Sequence, residues 1–276
     1  MKRPLDTSDW AFKVDYNDHF ETPRRAYEDL LPVLESLACA LGKQRDELVI
    51  YDPYYCKGKM VSLLHSLGYT TVINKNIDFY RDVASKSVPE YDILVTNPPY
   101  SGEHKPQLMA YLTTTDKPYA LLLPVYTVTK SYWKDLVVGC SSEDNILYLL
   151  PPESYDYEHP EGTGKDVPPF YSSWFINLNK NSSSGSSSSG SAPINMDVVV
   201  GALNAANPKG LLRRCGYALS IEEIVRRGLV VEKRPSNKQR KKLKAKLLLA
   251  SGASAQTSPD RAASVGGSDI TKKKRF

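Results

Sequence analysis

The stretch DILVTNPPYSGEHK, residues 92–105, decides the fold that this sequence predicts. Residues 92–96 are typical of a short buried strand. The strand must stop at Asn97-Pro98-Pro99, because proline has no backbone N–H and holds φ near −65°. The carbonyl oxygens at this point are therefore not consumed by a helix or a sheet ladder and stay available as acceptors.

Other apolar runs flank this strand on both sides. They are predicted as strands at 48–51, 70–73, 119–125, 145–150 and 172–178. Amphipathic segments between them predict helices, among them Thr22 to about Leu41, with Thr22 as cap and Pro23 at the first helical position, and Lys57 to Leu67. This alternation is typical of an α/β fold whose twisted sheet is mostly parallel and has an antiparallel last strand. Because the stretch from Asn74 to Asp92 is short, we expect a shortened or missing strand at one edge.

Composition divides the chain into four parts. Residues 1–179 carry the strand and helix pattern, and residues 180–194 form a Ser/Gly-rich linker that has little to bury. Residues 195–232 hold enough apolar side chains for a few short elements docked on the core, including a helix that Ser220 and Glu223 would cap. Residues 233–276 are basic, and we expect them to be largely disordered.

Charge is distributed unevenly along the chain. The net charge of +5 arises from −8 in residues 1–179 and +13 in residues 180–276. A basic excess of this kind favours contact with a polyanion or a nuclear-import receptor. The basic patches KQRKK and KKKR predict nuclear or nucleolar localisation, with a cytoplasmic location as the alternative. No apolar run is long enough to span a membrane, so no membrane partner is expected.

The first strand ends in YDPYYCKGKM, residues 51–60. Ligands of open parallel sheets bind beyond the carboxyl ends of the strands. Asp52 at such an end is suited to hydrogen-bond an amine or hydroxyl of a nucleoside-like cofactor, and Gly58 would let the backbone approach closely. A plain turn is the alternative interpretation of Asp-Pro at this position.

Asn97 and its neighbours suggest a specific chemistry. The Asn97 amide oxygen and the carbonyl oxygens of Asn97 and Pro98 can converge on the amino group of a base, and Tyr100 offers a ring for stacking. An exocyclic adenine amine is a weak nucleophile, because its lone pair is delocalised. Acceptors that fix its two protons would make that lone pair available to an electrophilic methyl group. No acidic general base is required.

These motifs resemble those of the class I S-adenosylmethionine-dependent methyltransferases that modify exocyclic or amide nitrogens. The resemblance covers roughly residues 16–178 and implies a Rossmann-like fold with S-adenosyl-L-methionine as cofactor. It implies catalytic roles for Asn97, Pro98, Pro99 and Tyr100. It also implies cofactor-binding roles for residues of an upstream segment, of the first loop and of the Asp-Phe pair that holds the adenine moiety. These residues are Phe20, Thr22, Pro23, Asp52, Pro53, Tyr54, Gly58, Asp78 and Phe79.

Two segments depart from the pattern of this family, the first loop and the end of the second strand. Tyr55, Cys56 and Lys57 stand in the first loop where glycines or small residues are usual. Asn74 follows the second strand where an acidic residue usually binds the ribose hydroxyls, although its amide is still expected to hydrogen-bond a diol.

Substrate contacts are expected around the loop between the last two strands and just after the NPPY motif. The candidates are His104, Lys105, Tyr155, Tyr157 and Tyr171, as phosphate-contacting or base-stacking residues. Trp174 and Phe175 are expected to be core residues instead. Since the four cysteines form no CxxC pair, neither a zinc site nor a disulfide framework is predicted.

Adenine N6 in RNA is the predicted substrate, ahead of DNA, because base access is easier in loops and single strands. Two alternatives stay open. One is a non-catalytic scaffold that binds RNA or a ribosome-assembly partner, and the other is methylation of a glutamine amide in a protein. The need for a protein partner and the oligomeric state are left open by the sequence.

Overall fold

The arrangement of the strands was obtained from a computed structural model, which describes residues 20–139, 146–157, 170–178, 195–206 and 216–230. These ranges all fall in the first of two units into which the chain divides, residues 1–232 and 233–276. The predicted linker and the basic tail lie outside the described residues.

Within the described residues, seven strands form one mixed sheet. In chain order they are β1 (Ile50–Tyr51), β2 (Val72–Ile73), β3 (Ile93–Thr96), β4 (Tyr119–Pro124), β5 (Ile146–Leu150), β6 (Ser172–Asn177) and β7 (Gly216–Ala218). Their spatial order is β2-β1-β3-β4-β6-β5-β7. The first four strands are parallel, and β6 runs antiparallel to both β4 and β5. The predicted α/β class is confirmed. The sheet is parallel over its first four strands, as predicted, but its antiparallel part comprises two strands, β6 and β7, rather than the last strand alone.

Helices cover both faces of this sheet. They are α1 (Arg24–Ala40), α2 (Lys59–Ser66), α3 (Phe79–Ser85), α4 (His104–Thr113), α5 (Ser131–Gly139), α6 (Met196–Ala206) and α7 (Ile221–Arg226), with a 3₁₀ helix at Val125–Thr129. Every residue of β3 and β4 is buried, as expected for strands covered on both faces.

The two faces of the sheet bury separate apolar clusters. Trp174 and Phe175 are adjacent on β6 and point to opposite faces, so each belongs to a different cluster. Trp174 packs against α1, where its Nε1 donates to the Ala26 carbonyl at 2.8 Å. Phe175 packs edge-on against Trp133 of α5, with ring centroids 4.8 Å apart. The prediction that both are core residues is confirmed.

The element boundaries differ from the predicted ones at several places. Helix α1 begins at Arg24, and Pro23 is its extended N-cap residue. Thr22 was predicted to cap this helix, but its side chain makes no capping hydrogen bond and interacts with the Tyr27 hydroxyl instead. Helix α2 spans fewer residues than the predicted 57–67, because Gly58 takes a left-handed conformation with φ of 74° and ends the preceding loop.

The edge of the sheet next to β1 is short, as predicted. Strand β2 has two residues, and between Asn74 and Asp92 the structure contains one helix, α3, and no further strand. At the opposite edge, β7 pairs antiparallel with β5, which the sequence pattern did not predict. Ser220 accepts from the Glu223 amide at 3.2 Å and caps α7, as expected.

Candidate active site

The strand order reverses between β1 and β3, and this reversal locates the candidate site. From β1 the chain first adds β2 on one side and then β3 on the other side. In open α/β sheets the crevice at such a reversal, beyond the carboxyl ends of the strands, is where ligands bind. Asp52 directly follows β1, and Asn97 directly follows β3. The two loops that the sequence singled out are therefore neighbours.

Asp52 is a buried carboxylate, with 7% of its surface exposed. Its Oδ1 accepts from the Thr96 hydroxyl at 2.6 Å and from the Tyr54 amide at 3.0 Å. Burial raises the pKa of Asp52 to about 7, although both hydrogen bonds favour the charged form. Among the described residues, no cationic side chain forms an ion pair with Asp52.

The loop from Pro53 to Gly58 is folded tightly around this carboxylate. Pro53 is buried, and Tyr54, Tyr55 and Cys56 are half-buried. Burial raises the pKa of the Cys56 thiol to about 12, so it stays protonated and is a poor nucleophile. A side chain at Gly58 would be strained by the positive φ, and its Cβ would lie 3.9 Å from the Tyr55 ring. Although the loop carries bulky side chains, it retains a glycine at the position where the backbone has a positive φ.

The upstream segment, Phe20 to Pro23, lies against the same loop. Glu21 forms an ion pair with Lys59 of α2, with 3.5 Å between Oε2 and Nζ. Thr22 is buried and interacts with Tyr27. Burial raises the pKa of Tyr27, and the negative charge of Asp52 raises it further. Glu21 thus lies beside the start of α2, and the cofactor contacts expected of Phe20, Thr22 and Pro23 stay predictions.

Asn74 and the Asp78-Phe79 pair are held by protein contacts. Asn74 Nδ2 donates to the carbonyl oxygens of Asp52, at 3.1 Å, and Tyr54, at 3.3 Å. Asp78 Oδ1 caps α3 by accepting from the Tyr80 amide at 3.0 Å and from the Arg81 amide at 3.3 Å. Phe79 is buried, and its ring packs 5.7 Å from that of Tyr54. Their proposed cofactor contacts stay predictions.

Three polar aromatic side chains meet beside the first loop. The Tyr80 hydroxyl lies 2.7 Å from the Tyr54 hydroxyl and 3.1 Å from Nδ1 of His104. It also donates to the His104 carbonyl at 3.2 Å. His104, expected to contact a phosphate, is half-buried in this group as the first residue of α4. Tyr80 was not predicted as a site residue, and its only signal was the clustering of aromatics in NIDFY.

The NPPY segment is fixed by two side chains. The Tyr100 hydroxyl lies 2.7 Å from Oδ1 of Asn97 and 2.9 Å from the Leu122 carbonyl oxygen, and both can accept its proton. Lys105 is buried, donates from Nζ to the Tyr100 carbonyl, and lies 5.2 Å from the centre of the Tyr100 ring. Lys105 was expected near a phosphate; in this conformation it holds the NPPY turn.

The backbone acceptors predicted at this turn lie beyond the ordered ladder. The pairing of β3 with β4 ends at Thr96. Among the described residues, no backbone hydrogen bond outside the helices and the sheet goes to the carbonyl oxygen of Asn97 or Pro98. Pro98 is buried and Asn97 is half-buried. The turn therefore presents two carbonyl groups that local structure has not consumed.

The aromatic residues between the last strands occupy different positions. Tyr155 is buried and its hydroxyl donates to Asp29 at 2.8 Å, whereas the Tyr171 hydroxyl donates to the Pro151 carbonyl. Tyr157 interacts with Tyr100 and Ser172, and burial raises its pKa to about 12. Tyr157 thus lies beside Tyr100 of the NPPY segment, and the substrate contacts expected of the three tyrosines stay predictions.

Two further expectations concern metals and membranes. Within the part of the chain that the structure describes, no group of three or more His, Cys, Asp or Glu side chains could hold a metal ion. Cys39 and Cys56 are free thiols. A search of the same residues found no helix with the length and apolar character that crossing a membrane requires.

Comparisons with known proteins add little to this geometry. No protein-family model matches the sequence, and no curated protein matches it. Chains of solved structures do match, among them one from a type I restriction-modification system studied for its complex assembly and conformational transition. That match has 15% identity and a TM-score of 0.34 and covers 83% of this chain. The chain spans 64% of the length of its counterpart.

Proposed function

We propose that this protein transfers a methyl group from S-adenosyl-L-methionine to the exocyclic amino group of a nucleic acid base, with adenine N6 in RNA as the favoured target. One observation carries the proposal. The NPPY turn, with its unconsumed carbonyl groups, lies at the reversal of strand order next to a buried carboxylate, and Thr96 links the two by its 2.6 Å hydrogen bond to Asp52.

Asn97 and Pro98 supply the acceptors for the amine. A primary aromatic amine has two N–H donors, and the Asn97 side chain and the backbone carbonyl groups of the turn are suited to accept them. Fixing both protons out of the plane of the base withdraws the nitrogen lone pair from the ring and makes it nucleophilic. A bound S-adenosylmethionine would supply an electrophilic methyl carbon, and Asn97 and the carbonyl groups of the turn would hold the amine until it has lost one proton to solvent.

Tyr100 can give up its hydrogen bond to Asn97 when the amine binds and keep its hydrogen bond to the Leu122 carbonyl. A phenol hydroxyl has a single proton. It therefore cannot donate a full hydrogen bond to Asn97 and to the Leu122 carbonyl at the same time. The bond to Leu122 can persist while the Asn97 amide turns to the substrate. The ring is half-buried, and we assign to it the stacking of the base.

The residues after β1 suit the charge and shape of the cofactor. S-adenosylmethionine carries an ammonium and a sulfonium, and Asp52 is a buried carboxylate that no cation of the described residues neutralises. Only Oδ1 of Asp52 accepts hydrogen bonds among these residues, which leaves Oδ2 for a ligand. Asn74, which already ties the loop together through Nδ2, retains its amide oxygen for a hydroxyl group.

RNA is favoured as substrate by the charge of the chain. The net charge of +13 in residues 180–276 supplies affinity for phosphates without demanding sequence information. A compact α/β domain reaches a base most easily where that base is already unpaired. The tail would hold the RNA and the NPPY turn would select the amine.

The proposal predicts that the full-length protein binds S-adenosylmethionine and S-adenosylhomocysteine in isothermal titration. It further predicts that labelled methyl from the cofactor enters a nuclease-sensitive, protease-resistant fraction. Mass spectrometry of digested RNA from cells with and without the protein should show loss of N6-methyladenosine at one position.

Three results would contradict the proposal in distinguishable ways. Absence of cofactor binding would favour the non-catalytic scaffold. Label that survives nuclease and enters protein would favour the glutamine amide. Label that is removed by deoxyribonuclease alone would support methyl transfer to a base but identify DNA, not RNA, as the substrate.

The basic tail gives a second prediction. Replacing the eight Lys and Arg residues of 233–246 by Gln in the full-length chain should weaken RNA binding and flatten its dependence on salt. For single strands, each lost phosphate contact lowers the slope of log K against log salt concentration by about 0.7. The modified position should be unchanged, because the NPPY turn is intact. Equal salt slopes for the two proteins would show that the tail does not bind RNA.

A further inference from the structure

A series of three aromatic rings leads outward from the NPPY turn. The Tyr100 ring packs against Phe170, with centroids 5.2 Å apart and planes at 66°. Phe170 in turn packs against Tyr126, with centroids 6.4 Å apart and planes at 85°. The series, Tyr100–Phe170–Tyr126, begins at a residue of the proposed site and ends at a surface residue.

The outer end of this series is exposed and carries a positive charge. Tyr126 is 39% exposed and is one of three large hydrophobic side chains of the described residues that are so accessible. Lys130 Nζ lies 5.5 Å from the centre of the Tyr126 ring. Lys130 is exposed. An aromatic face and an ammonium group thus share one surface.

The element that presents Tyr126 is firmly held. Tyr126 belongs to the 3₁₀ helix that directly follows β4, and its neighbours Val125, Thr127 and Val128 are buried. The Val125 amide donates to the Tyr171 carbonyl at 2.9 Å. Because Tyr126 extends from a fixed element at the carboxyl ends of the strands, it can bind a ligand without ordering a loop first.

The combination of ring and cation indicates the chemistry of the ligand. Proteins that bind single-stranded nucleic acids alternate aromatic side chains, on which bases stack, with cations that follow the phosphates. An apolar partner would gain nothing from the Lys130 ammonium, and an acidic peptide would gain nothing from the series of rings that begins at Tyr100. A nucleotide uses both.

We propose that Tyr126 and Lys130 bind a nucleotide that flanks the target base in a single-stranded polynucleotide. Its base stacks on Tyr126 and its phosphate pairs with Lys130. The inference rests on the proposed function in that the strand continues to the NPPY turn. The sequence did not indicate these two residues, because neither belongs to a motif, and only the fold places them in line with Tyr100.

The test measures binding of a fluorescein-labelled 15-nucleotide single-stranded RNA to the full-length protein by anisotropy, without cofactor. Tyr126→Ala should weaken binding roughly 5- to 150-fold, the range expected for loss of one stacked base, whereas Tyr126→Phe should bind nearly as the unmodified protein does. Lys130→Gln should lower the salt slope by about 0.7.

Lys117→Gln is the matched control. Lys117 Nζ lies 5.8 Å from the centre of the Tyr91 ring, so it forms the same kind of pair, but it precedes β4 and lies at the other end of the sheet. This variant should leave RNA affinity and salt slope unchanged. Since Tyr126 and both lysines are surface residues, unchanged thermal unfolding would verify that each variant is folded.

Unchanged RNA affinity of Tyr126→Ala would overturn the inference, and so would failure of the unmodified protein to bind the strand. A loss of protein methylation by Tyr126→Ala with unchanged RNA affinity would likewise overturn it and assign the surface to a protein. Reduced RNA binding by Tyr126→Ala, in a protein that transfers no methyl group, would support this inference while the proposed function fails.

Discussion

Replacement of Asn97 by alanine is expected to lower methyl transfer roughly 100- to 1,000-fold, the scale on which removal of one preorganised polar group acts on a transition state. The substitution deletes the amide oxygen that we assign to the amine protons. Cofactor affinity should change little, because Asn97 does not contact Asp52 or Gly58 in any described hydrogen bond. Single-turnover rates and isothermal titration measure the two effects separately.

Two variants control for the position of Asn97. Asn97→Asp keeps an acceptor oxygen of nearly the same shape and should retain part of the rate. Tyr100→Phe removes the hydroxyl that lies 2.7 Å from the Asn97 oxygen, so the amide is released to the substrate while the stacking ring stays. Its rate should fall no more than about tenfold, the equivalent of a single hydrogen bond. Unchanged turnover of Asn97→Ala would refute the assigned role.

Replacement of Asp52 by asparagine is expected to make the protein more stable at pH 8 by roughly 1 to 3 kcal/mol. Burial raises the pKa of Asp52 from an ordinary 3.8 to about 7. Between these two pH values the folded state binds more protons than the unfolded state, so stability falls as pH rises through this window. Asparagine avoids the buried charge, and its Oδ1 can accept from both Thr96 and Tyr54, although its amide nitrogen lacks a partner.

Urea unfolding at pH 4, 5.5, 7 and 8.5 measures the effect of this substitution. The difference in stability should be smallest at pH 4 and should grow up to about pH 7. The same variant should bind S-adenosylmethionine at least about tenfold more weakly, since it loses a charged hydrogen-bond partner. Stability that is independent of pH in both proteins would contradict the elevated pKa of Asp52.

Asp92→Asn is the matched contrast. Asp92 forms an ion pair with Lys43, with 2.6 Å between Oδ2 and Nζ, and accepts from the Val49 amide at 2.7 Å. Removing its charge leaves the Lys43 ammonium without its partner, so this substitution should destabilise the protein by about 1 kcal/mol. Opposite signs for the two substitutions would separate a carboxylate kept for ligand binding from one kept for stability.

Much of the fold could be predicted because its signals are local. Apolar runs ended by Asp52-Pro53 and by Asn97-Pro98 locate strand ends, and prolines enforce those ends whatever the rest of the chain does. The short stretch before Asp92 limits what can fit there, so the reduced edge was predictable from length alone. Strand β7 was not, since the three residues Gly216–Ala218 carry no alternation and acquire strand geometry from pairing with β5.

The contacts within the candidate site were less predictable, because side-chain partners depend on the tertiary fold. From the sequence alone, a lysine just after the NPPY motif would be expected to face solvent. Lys105 is instead buried, because its position in α4 lets its ammonium donate to the Tyr100 carbonyl. Tyr155 and Tyr157 are identical residues two positions apart in the same segment. Nevertheless, Tyr155 hydrogen-bonds Asp29, whereas Tyr157 interacts with Tyr100. Sequence supplies the candidates, and packing assigns their partners.

The brevity of the outer strands has a consequence for how the protein behaves at high concentration. As far as the described residues extend, the sheet is bordered by β2, of two residues, and by β7, of three. A long, flat border strand exposes a row of unpaired amide and carbonyl groups and invites strands of other molecules to aggregate. Borders of two and three residues, the lengths seen in the described part of the sheet, offer few such groups to template that growth.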